Sequence, residues 1–142
     1  EIPAYLSKNY IEHLEILKKI GRVVGTIFQI QDDILEISSN SENMGKGTDS
    51  DIKRKKKTIL SCVASEKNTN KWNKFIKTIE DQSINEKKES FRKYLKDNQI
   101  DLEAKKILDK HTLNCNKLIS ELPADIQEGV KELIDYILNR KN

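Results

Sequence analysis

The chain has 142 residues, a formal net charge of +3, 36% apolar residues and 35% charged residues. Five glycines, two prolines and two cysteines exclude collagen-like and disulfide-scaffold proteins. Because no window approaches about 18 uncharged apolar residues, we expect no transmembrane segment.

Apolar residues recur at three- and four-residue spacings along the chain, which predicts helices rather than strands. Glycine is costly inside a helix, so Gly21 and Gly25 on one face of the first helix suggest close packing against a neighbouring helix. The Ser-, Asn- and Gly-rich stretch over 38–50 is typical of a loop. The predicted class is therefore an all-α helical bundle. The predicted helices span about 7–37, 58–65, 69–80, 85–97, 101–122 and 125–139.

The two cysteines and two histidines predict no metal or redox site. Cys62 and Cys115 lie in apolar helical patterns, so we expect both thiols to be buried and reduced. No spacing suits a zinc site, and His13 and His111 are expected to have no catalytic role. The sequence shows no signal peptide, so we expect a cytoplasmic location, with an organelle left open.

A cluster of acids near the end of the first predicted helix carries the chemistry. Asp32 and Glu36 are spaced i, i+4 and share a face with Gln29, while Asp33 lies at the edge of that face. These acids repel one another unless a cation neutralises them, and Mg²⁺ favours carboxylates combined with substrate phosphates. A solvated acidic face is the alternative interpretation.

The loop that follows supplies positive charge. Lys46 lies in a Gly-Lys-Gly turn, and Asp51 precedes the basic run over 53–57, which includes Lys56 and is followed by Thr58. Acids for a metal and lysines for phosphate oxygens together predict a diphosphate site. A loop that is basic only for solubility, or a run that attracts nucleic acid, are the alternatives. Because the chain shows no recognised nucleic-acid module, we expect no nucleic-acid partner.

The order of residues over 25–58 resembles the trans-isoprenyl diphosphate synthases, whose second aspartate-rich motif reads roughly F-Q-x-x-D-D-x-x-D. The matching residues here are Phe28, Gln29, Asp32 and Asp33, with Glu36 in the third acidic place. The family's G-K, D-[IL] and K-x-T elements are matched by Gly45, Lys46, Asp51, Ile52, Lys56 and Thr58. The last predicted helix, over 125–139, also resembles the last helix of the family. The resemblance implies that residues 1–142 are the C-terminal half of an isoprenoid-synthase-type bundle.

The resemblance also implies an activity and a cofactor. Such enzymes condense isopentenyl diphosphate with an allylic diphosphate by Mg²⁺-dependent ionisation, condensation and elimination. Mn²⁺ is a possible substitute. By the same resemblance, Asp32 is a direct metal ligand, while Asp33 and Glu36 act through metal-bound water or as weaker ligands.

The same resemblance implies roles for residues that bind the substrates. Gln29 is expected to face the diphosphate end of the pocket, and Lys46 and Lys56 to contact the allylic diphosphate or the departing pyrophosphate. Phe28 lines the pocket near the homoallylic substrate or is a plain core aromatic. Asp51 and Thr58 are expected to order the loop, and direct contact with the metal ion or the substrate is the alternative.

The sequence departs from the family pattern in two ways. Glu36 replaces an aspartate, and the family's first aspartate-rich motif and its Lys-Thr pair are absent. We therefore expect an upstream half, on the same or a separate chain, and an inactive isolated fragment. Because homodimers are usual in the family, the resemblance also implies a homodimeric assembly. The alternative function is a non-catalytic regulatory or structural subunit on the same fold.

Overall fold

A computed structural model describes residues 10–38 and 58–140, with side chains in the first range described over 13–35. Within these ranges the chain is all-α, as predicted, with no strand. The helices are α1 (Tyr10–Ser38), α2 (Ile59–Lys67), α3 (Thr69–Thr78), α4 (Ile84–Asp97), α5 (Ile100–Ile119) and α6 (Ala124–Asn139).

The predicted helices are confirmed, with ends displaced by a few residues where local hydrogen bonds decide the boundary. Helix α5 ends at Ile119, earlier than predicted, because the backbone N–H of Leu122 donates to the Ile119 carbonyl oxygen in a tight turn. Pro123 then starts α6, and its carbonyl oxygen accepts from the backbone N–H groups of Ile126 and Gln127.

Side-chain caps explain where the middle helices begin. The Asn68 side chain accepts from the backbone N–H of Lys71 at 3.0 Å at the start of α3. Ser83 and Glu86 form a reciprocal capping box at the start of α4. Such caps satisfy first-turn donors that have no partner within the helix.

Helix α4 gives way to α5 through a single left-handed residue, Gln99, with φ of 55°. Asn98 precedes it, and its carbonyl oxygen accepts from the Lys67 ammonium at 2.8 Å. The Asn98 side-chain oxygen accepts from Lys71. Cations at a helix C-terminus are favourable because the last carbonyl groups carry partial negative charge.

The chain divides into two compact units, and α1 and α5 each contribute to both. The first unit contains the residues up to Gln31 and those from Ile107 to Lys141. Its buried apolar residues come from α1, α5, α6 and the turn between α5 and α6. They are Ile20, Ile27, Ile30, Leu108, Cys115, Ile119, Leu122, Ile134 and Ile137.

The second unit contains Asp32–Lys106, and its core combines α2, α3, α4 and the start of α5. An aromatic cluster lies between α3 and α4 and consists of Trp72, Phe75, Phe91 and Tyr94. The other buried apolar residues are Leu60, Val63, Ala64, Ile79, Leu95, Ile100 and Ala104.

Some burial predictions were wrong. Cys115 is buried as expected, but Cys62 is only half-buried. Leu133, an apolar residue of α6, is 50% exposed. Gly21 and Gly25 are exposed, and a Cβ added at either would meet nothing within 4 Å among the described residues. The close helix packing expected at these glycines is therefore absent from this part of the chain.

No helix in the described ranges is both long and apolar enough to cross a membrane.

Candidate functional site

Helix α1 carries the whole acidic motif, as the sequence predicted. Phe28 and Gln29 lie in the part of α1 that belongs to the first unit, and Asp32 begins the part that belongs to the second. Glu36 lies in α1, but its side chain is outside the described residues. Lys46, Asp51 and Lys56 also lie outside them, so their predicted roles are untested.

Asp33 is buried, with only 4% of its surface exposed. Its Oδ2 accepts a hydrogen bond from the backbone N–H of Ile59, with 2.8 Å between the two atoms. Burial of a carboxylate is costly unless it is hydrogen-bonded. The first-turn amides of a helix lack partners within the helix and carry partial positive charge, so the start of α2 stabilises this carboxylate.

Thr58 is the N-cap of α2. Its Oγ1 accepts from the backbone N–H of Ser61 at 3.2 Å, and its carbonyl oxygen accepts from the Ser61 hydroxyl at 2.9 Å. A Thr just before an apolar helical run is an ordinary N-cap signal. The role observed for Thr58 is therefore to start α2, directly beside the amide that Asp33 accepts from.

Asp32 differs from Asp33 in exposure, because it is half-buried rather than buried. The side chains that the structure describes contain no group of three or more His, Cys, Asp or Glu residues that could hold a metal ion. Mg²⁺ commonly binds proteins through one or two carboxylates and completes its shell with water and substrate phosphates. The hard oxygen donor of a partly accessible Asp32 fits that type of site.

Phe28 is not a core aromatic, because 40% of it is exposed. The guanidinium carbon of Arg140 lies 4.6 Å from the centroid of its ring. A cation–π contact at an exposed site contributes about 0.5–1 kcal/mol. Arg140 was missed in the sequence, since periodicity does not tell which aromatic ring a basic residue beyond the last helix will cover.

A hydrogen bond joins α1 to α6 in the same unit. The Gln31 side-chain nitrogen donates to the carbonyl oxygen of Leu138 at 3.1 Å. Gln29, which the motif had placed at the diphosphate, is exposed on the same helix. Gln31 therefore joins α1 to α6. The role predicted for Gln29 stays a prediction.

Comparisons with known proteins match the family that the sequence resembles. The polyprenyl synthetase family model matches residues 1–97. A farnesyl diphosphate synthase of Micrococcus luteus is 43% identical over 53 residues, which cover 37% of this chain and 18% of that protein. A short chain isoprenyl diphosphate synthase of Methanothermobacter thermautotrophicus is 27% identical over 135 residues, covering 92% of this chain and 41% of that protein.

A geranylfarnesyl diphosphate synthase of Natronomonas pharaonis is 38% identical over 63 residues, 44% of this chain and 18% of that protein. The chain therefore spans less than half the length of these relatives. No solved structure matches it. With an all-α fold, an acidic motif on α1 and a family match over residues 1–97, the chain belongs to the polyprenyl synthetase family.

Proposed function

We propose that this chain supplies the C-terminal half of the active site of a trans-prenyltransferase, which condenses isopentenyl diphosphate with an allylic diphosphate. The observation that carries the proposal is the acidic motif on α1, where Asp32 stays partly accessible while Asp33 is fixed by the start of α2. The printed names of the relatives, which are farnesyl, geranylfarnesyl and short chain isoprenyl diphosphate synthases, support the substrate class.

The proposed cofactor is Mg²⁺, with Mn²⁺ as a substitute. Asp32 would hold the ion directly, and Glu36 would act through bound water or as a weaker ligand. Asp33, for which the motif predicted the same role, is buried and accepts from the Ile59 N–H, so the ion is left to the other two acids. A bound divalent ion supplies charge neutralisation for the diphosphate that leaves. The carboxylates would contribute by fixing the position of the ion's positive charge. They lie on a rigid helix, so this costs no reorganisation during the reaction.

The remaining residues are proposed to bind and orient the substrates. Lys46 and Lys56 would contact the allylic diphosphate and the pyrophosphate that departs, because ammonium groups stabilise the charge developing on its oxygens. Gln29 would donate to the diphosphate end of the pocket. Phe28 would line the pocket beside the homoallylic substrate, and its partial exposure is consistent with that role.

The proposed reaction needs no protein nucleophile. The allylic carbon–oxygen bond breaks, and the diphosphate leaves with the electron pair. The double bond of isopentenyl diphosphate then forms a carbon–carbon bond with the allylic cation, and loss of a proton from the adduct restores a double bond. The protein contributes positioning and charge stabilisation, which are the main sources of rate in such a step.

We further propose that residues 1–142 are the C-terminal part of one polyprenyl synthetase domain. The sequence has one acidic motif of the two that such a synthase uses, so the other half of the site would come from an upstream segment or a partner chain. A homodimer and a cytoplasmic location complete the proposal.

A condensation assay tests this function. The full natural chain is incubated with radiolabelled isopentenyl diphosphate, dimethylallyl diphosphate and MgCl₂, and the extracted prenyl products are counted. Asp32→Ala is expected to lower turnover by about 100-fold or more. Asp109→Ala, at an exposed aspartate on α5, is the matched control and should keep wild-type turnover.

Two outcomes would overturn the proposal. Wild-type protein that forms no product with any allylic diphosphate in the presence of Mg²⁺ would contradict a synthase function. Wild-type turnover by the Asp32→Ala variant would instead favour a non-catalytic subunit.

A further inference from the structure

We propose that Asp33 is a positioning residue, which anchors the first turn of α2 to the acidic motif and leaves Asp32 as the carboxylate that meets the metal ion. The part of this inference that concerns the metal rests on the proposed function. The part that concerns α2 rests on the structure alone.

The two adjacent aspartates, Asp32 and Asp33, differ in the direction they project and in their exposure. Consecutive residues on an α-helix project in directions about 100° apart, so Asp32 and Asp33 cannot serve the same point in space equally well. Asp33 is buried, whereas Asp32 is half-buried. The buried carboxylate faces the protein interior, and the more accessible one is better placed for a metal ion that keeps water and substrate ligands.

Asp33 accepts a hydrogen bond at the start of α2. The Ile59 N–H is a first-turn donor, and Asp33 Oδ2 accepts from it at 2.8 Å. The Ser61 N–H, two residues further on, donates to Thr58 Oγ1. Two different side chains, one from α1 and one from the N-cap, thus share the donors at this helix end.

The electrostatics of a helix N-terminus also favour the carboxylate of Asp33 at the start of α2. The first turn of α2 contains no acidic residue of its own, although a negative charge there is favourable. Asp33 supplies that charge from α1. A hydrogen bond that involves a charged group is stronger than one between neutral groups, so this contact helps to fix where α2 begins.

The first measurement is amide hydrogen exchange at Ile59 in the full chain. Asp33→Asn keeps a side-chain oxygen that can accept from this amide, whereas Asp33→Ala removes it. We expect Ile59 to stay protected in the wild type and in Asp33→Asn, and to exchange about tenfold faster or more in Asp33→Ala. Unchanged protection in Asp33→Ala would overturn the positioning role.

A direct measurement covers the case in which Asp33→Ala does not fold. In wild-type protein, a scalar coupling across the hydrogen bond should connect the Ile59 amide nitrogen to the Asp33 carboxylate carbon. Absence of this coupling in a well-resolved spectrum would overturn the positioning role without any variant.

The second readout is Mn²⁺ binding in the presence of inorganic diphosphate, followed by the electron paramagnetic resonance of the free ion. Asp32→Asn should weaken Mn²⁺ binding by about tenfold or more, and Asp33→Asn by less than about threefold. If Asp33→Asn weakened binding as much as Asp32→Asn while Ile59 stayed protected, Asp33 would be a metal ligand and the division of roles would be wrong.

The two readouts separate failure of this inference from failure of the proposed function. If the wild type bound no Mn²⁺ while Asp33→Ala lost protection at Ile59, the proposed function would be contradicted and the anchoring of α2 supported. If the wild type bound Mn²⁺ while Asp33→Ala kept its protection at Ile59, only the anchoring of α2 would be contradicted.

Discussion

The rings of Phe75 and Tyr94 stack on each other, with 4.1 Å between their centroids and 22° between their planes. This contact joins α3 to α4. Trp72 of α3 lies 5.5 Å from Tyr94 and 5.7 Å from Phe91 by the same measure, so one buried indole contacts two rings of α4. Aromatic pairs in such arrangements contribute about 0.5–1.5 kcal/mol beyond the area they bury.

Replacement of Trp72 by alanine should therefore be among the costly substitutions in the second unit. Loss of a large buried side chain and the cavity it leaves predict a decrease of about 3–5 kcal/mol in the free energy of unfolding. Urea denaturation measures this change. Asn73→Ala, at the exposed neighbouring position, is the control and should change stability by less than about 0.5 kcal/mol. A loss below about 1 kcal/mol for Trp72→Ala would contradict the central place of this side chain.

The capping box at the start of α4 predicts a pH-dependent contribution. Hydrogen bonds from the Ser83 hydroxyl at 2.6 Å and from its backbone N–H at 2.9 Å lower the pKa of Glu86 from its ordinary value. A lowered pKa in the folded state means that the stabilisation is complete above the unfolded-state value of about 4.3, and is lost as the pH falls through the folded-state pKa.

Ser83→Ala should remove this effect. The variant is expected to lose about 1 kcal/mol of stability at neutral pH through the missing N-cap, and less at pH values where Glu86 is protonated. Nuclear magnetic resonance titration of the Glu86 carboxyl carbon should show its pKa rising toward the ordinary value. Ser83→Thr keeps the hydroxyl and should restore the wild-type titration. An unchanged Glu86 titration in Ser83→Ala would show that the hydroxyl does not control this carboxylate.

Gln99 offers a stabilising substitution. Its φ of 55° lies in the left-handed region, which costs roughly 1–2 kcal/mol for a residue with a Cβ and little for glycine. Because glycine also loses more chain entropy on folding, Gln99→Gly should raise the free energy of unfolding by roughly 0.5–1 kcal/mol. Gln99→Val should lower it. Urea midpoints of the two variants should fall on opposite sides of the wild type, and the reverse order would contradict the left-handed conformation.

The two thiols should react at different rates. Cys115 is fully buried in the first unit, and burial raises the pKa of its thiol. Cys62 is half-buried on α2. N-ethylmaleimide at pH 8 should therefore label Cys62 about tenfold faster or more than Cys115, as read by mass spectrometry of the peptides. Cys62→Ser should remove the fast phase, and equal labelling rates would contradict the burial of Cys115.

Much of the fold was predictable because helices leave a periodic signature. The apolar spacing located every described helix, and Ser83 three residues before Glu86 marks a capping box in the sequence itself. Burial of single residues was less predictable. Leu133 follows the apolar period of α6 and is nevertheless half-exposed, because periodicity shows a face and not whether that face is covered.

The acidic motif was predictable, and helical spacing placed Asp33 at the edge of its face, but the burial of Asp33 was not predictable. Asp32 and Asp33 are the same residue type at adjacent positions, and only the structure shows that Asp33 is buried against the start of α2. Its partner is a backbone N–H, which every residue except proline carries and which therefore leaves no trace in the sequence.

The most direct test of the diphosphate site is calorimetric titration of the full chain, with any upstream half restored, with a bisphosphonate in the presence and absence of Mg²⁺. The acidic motif predicts binding that requires Mg²⁺ and that weakens by about tenfold or more in Asp32→Ala. Equal binding without Mg²⁺, wild-type affinity in Asp32→Ala, or no binding at saturating Mg²⁺ would contradict the assignment of this motif as a metal–diphosphate site.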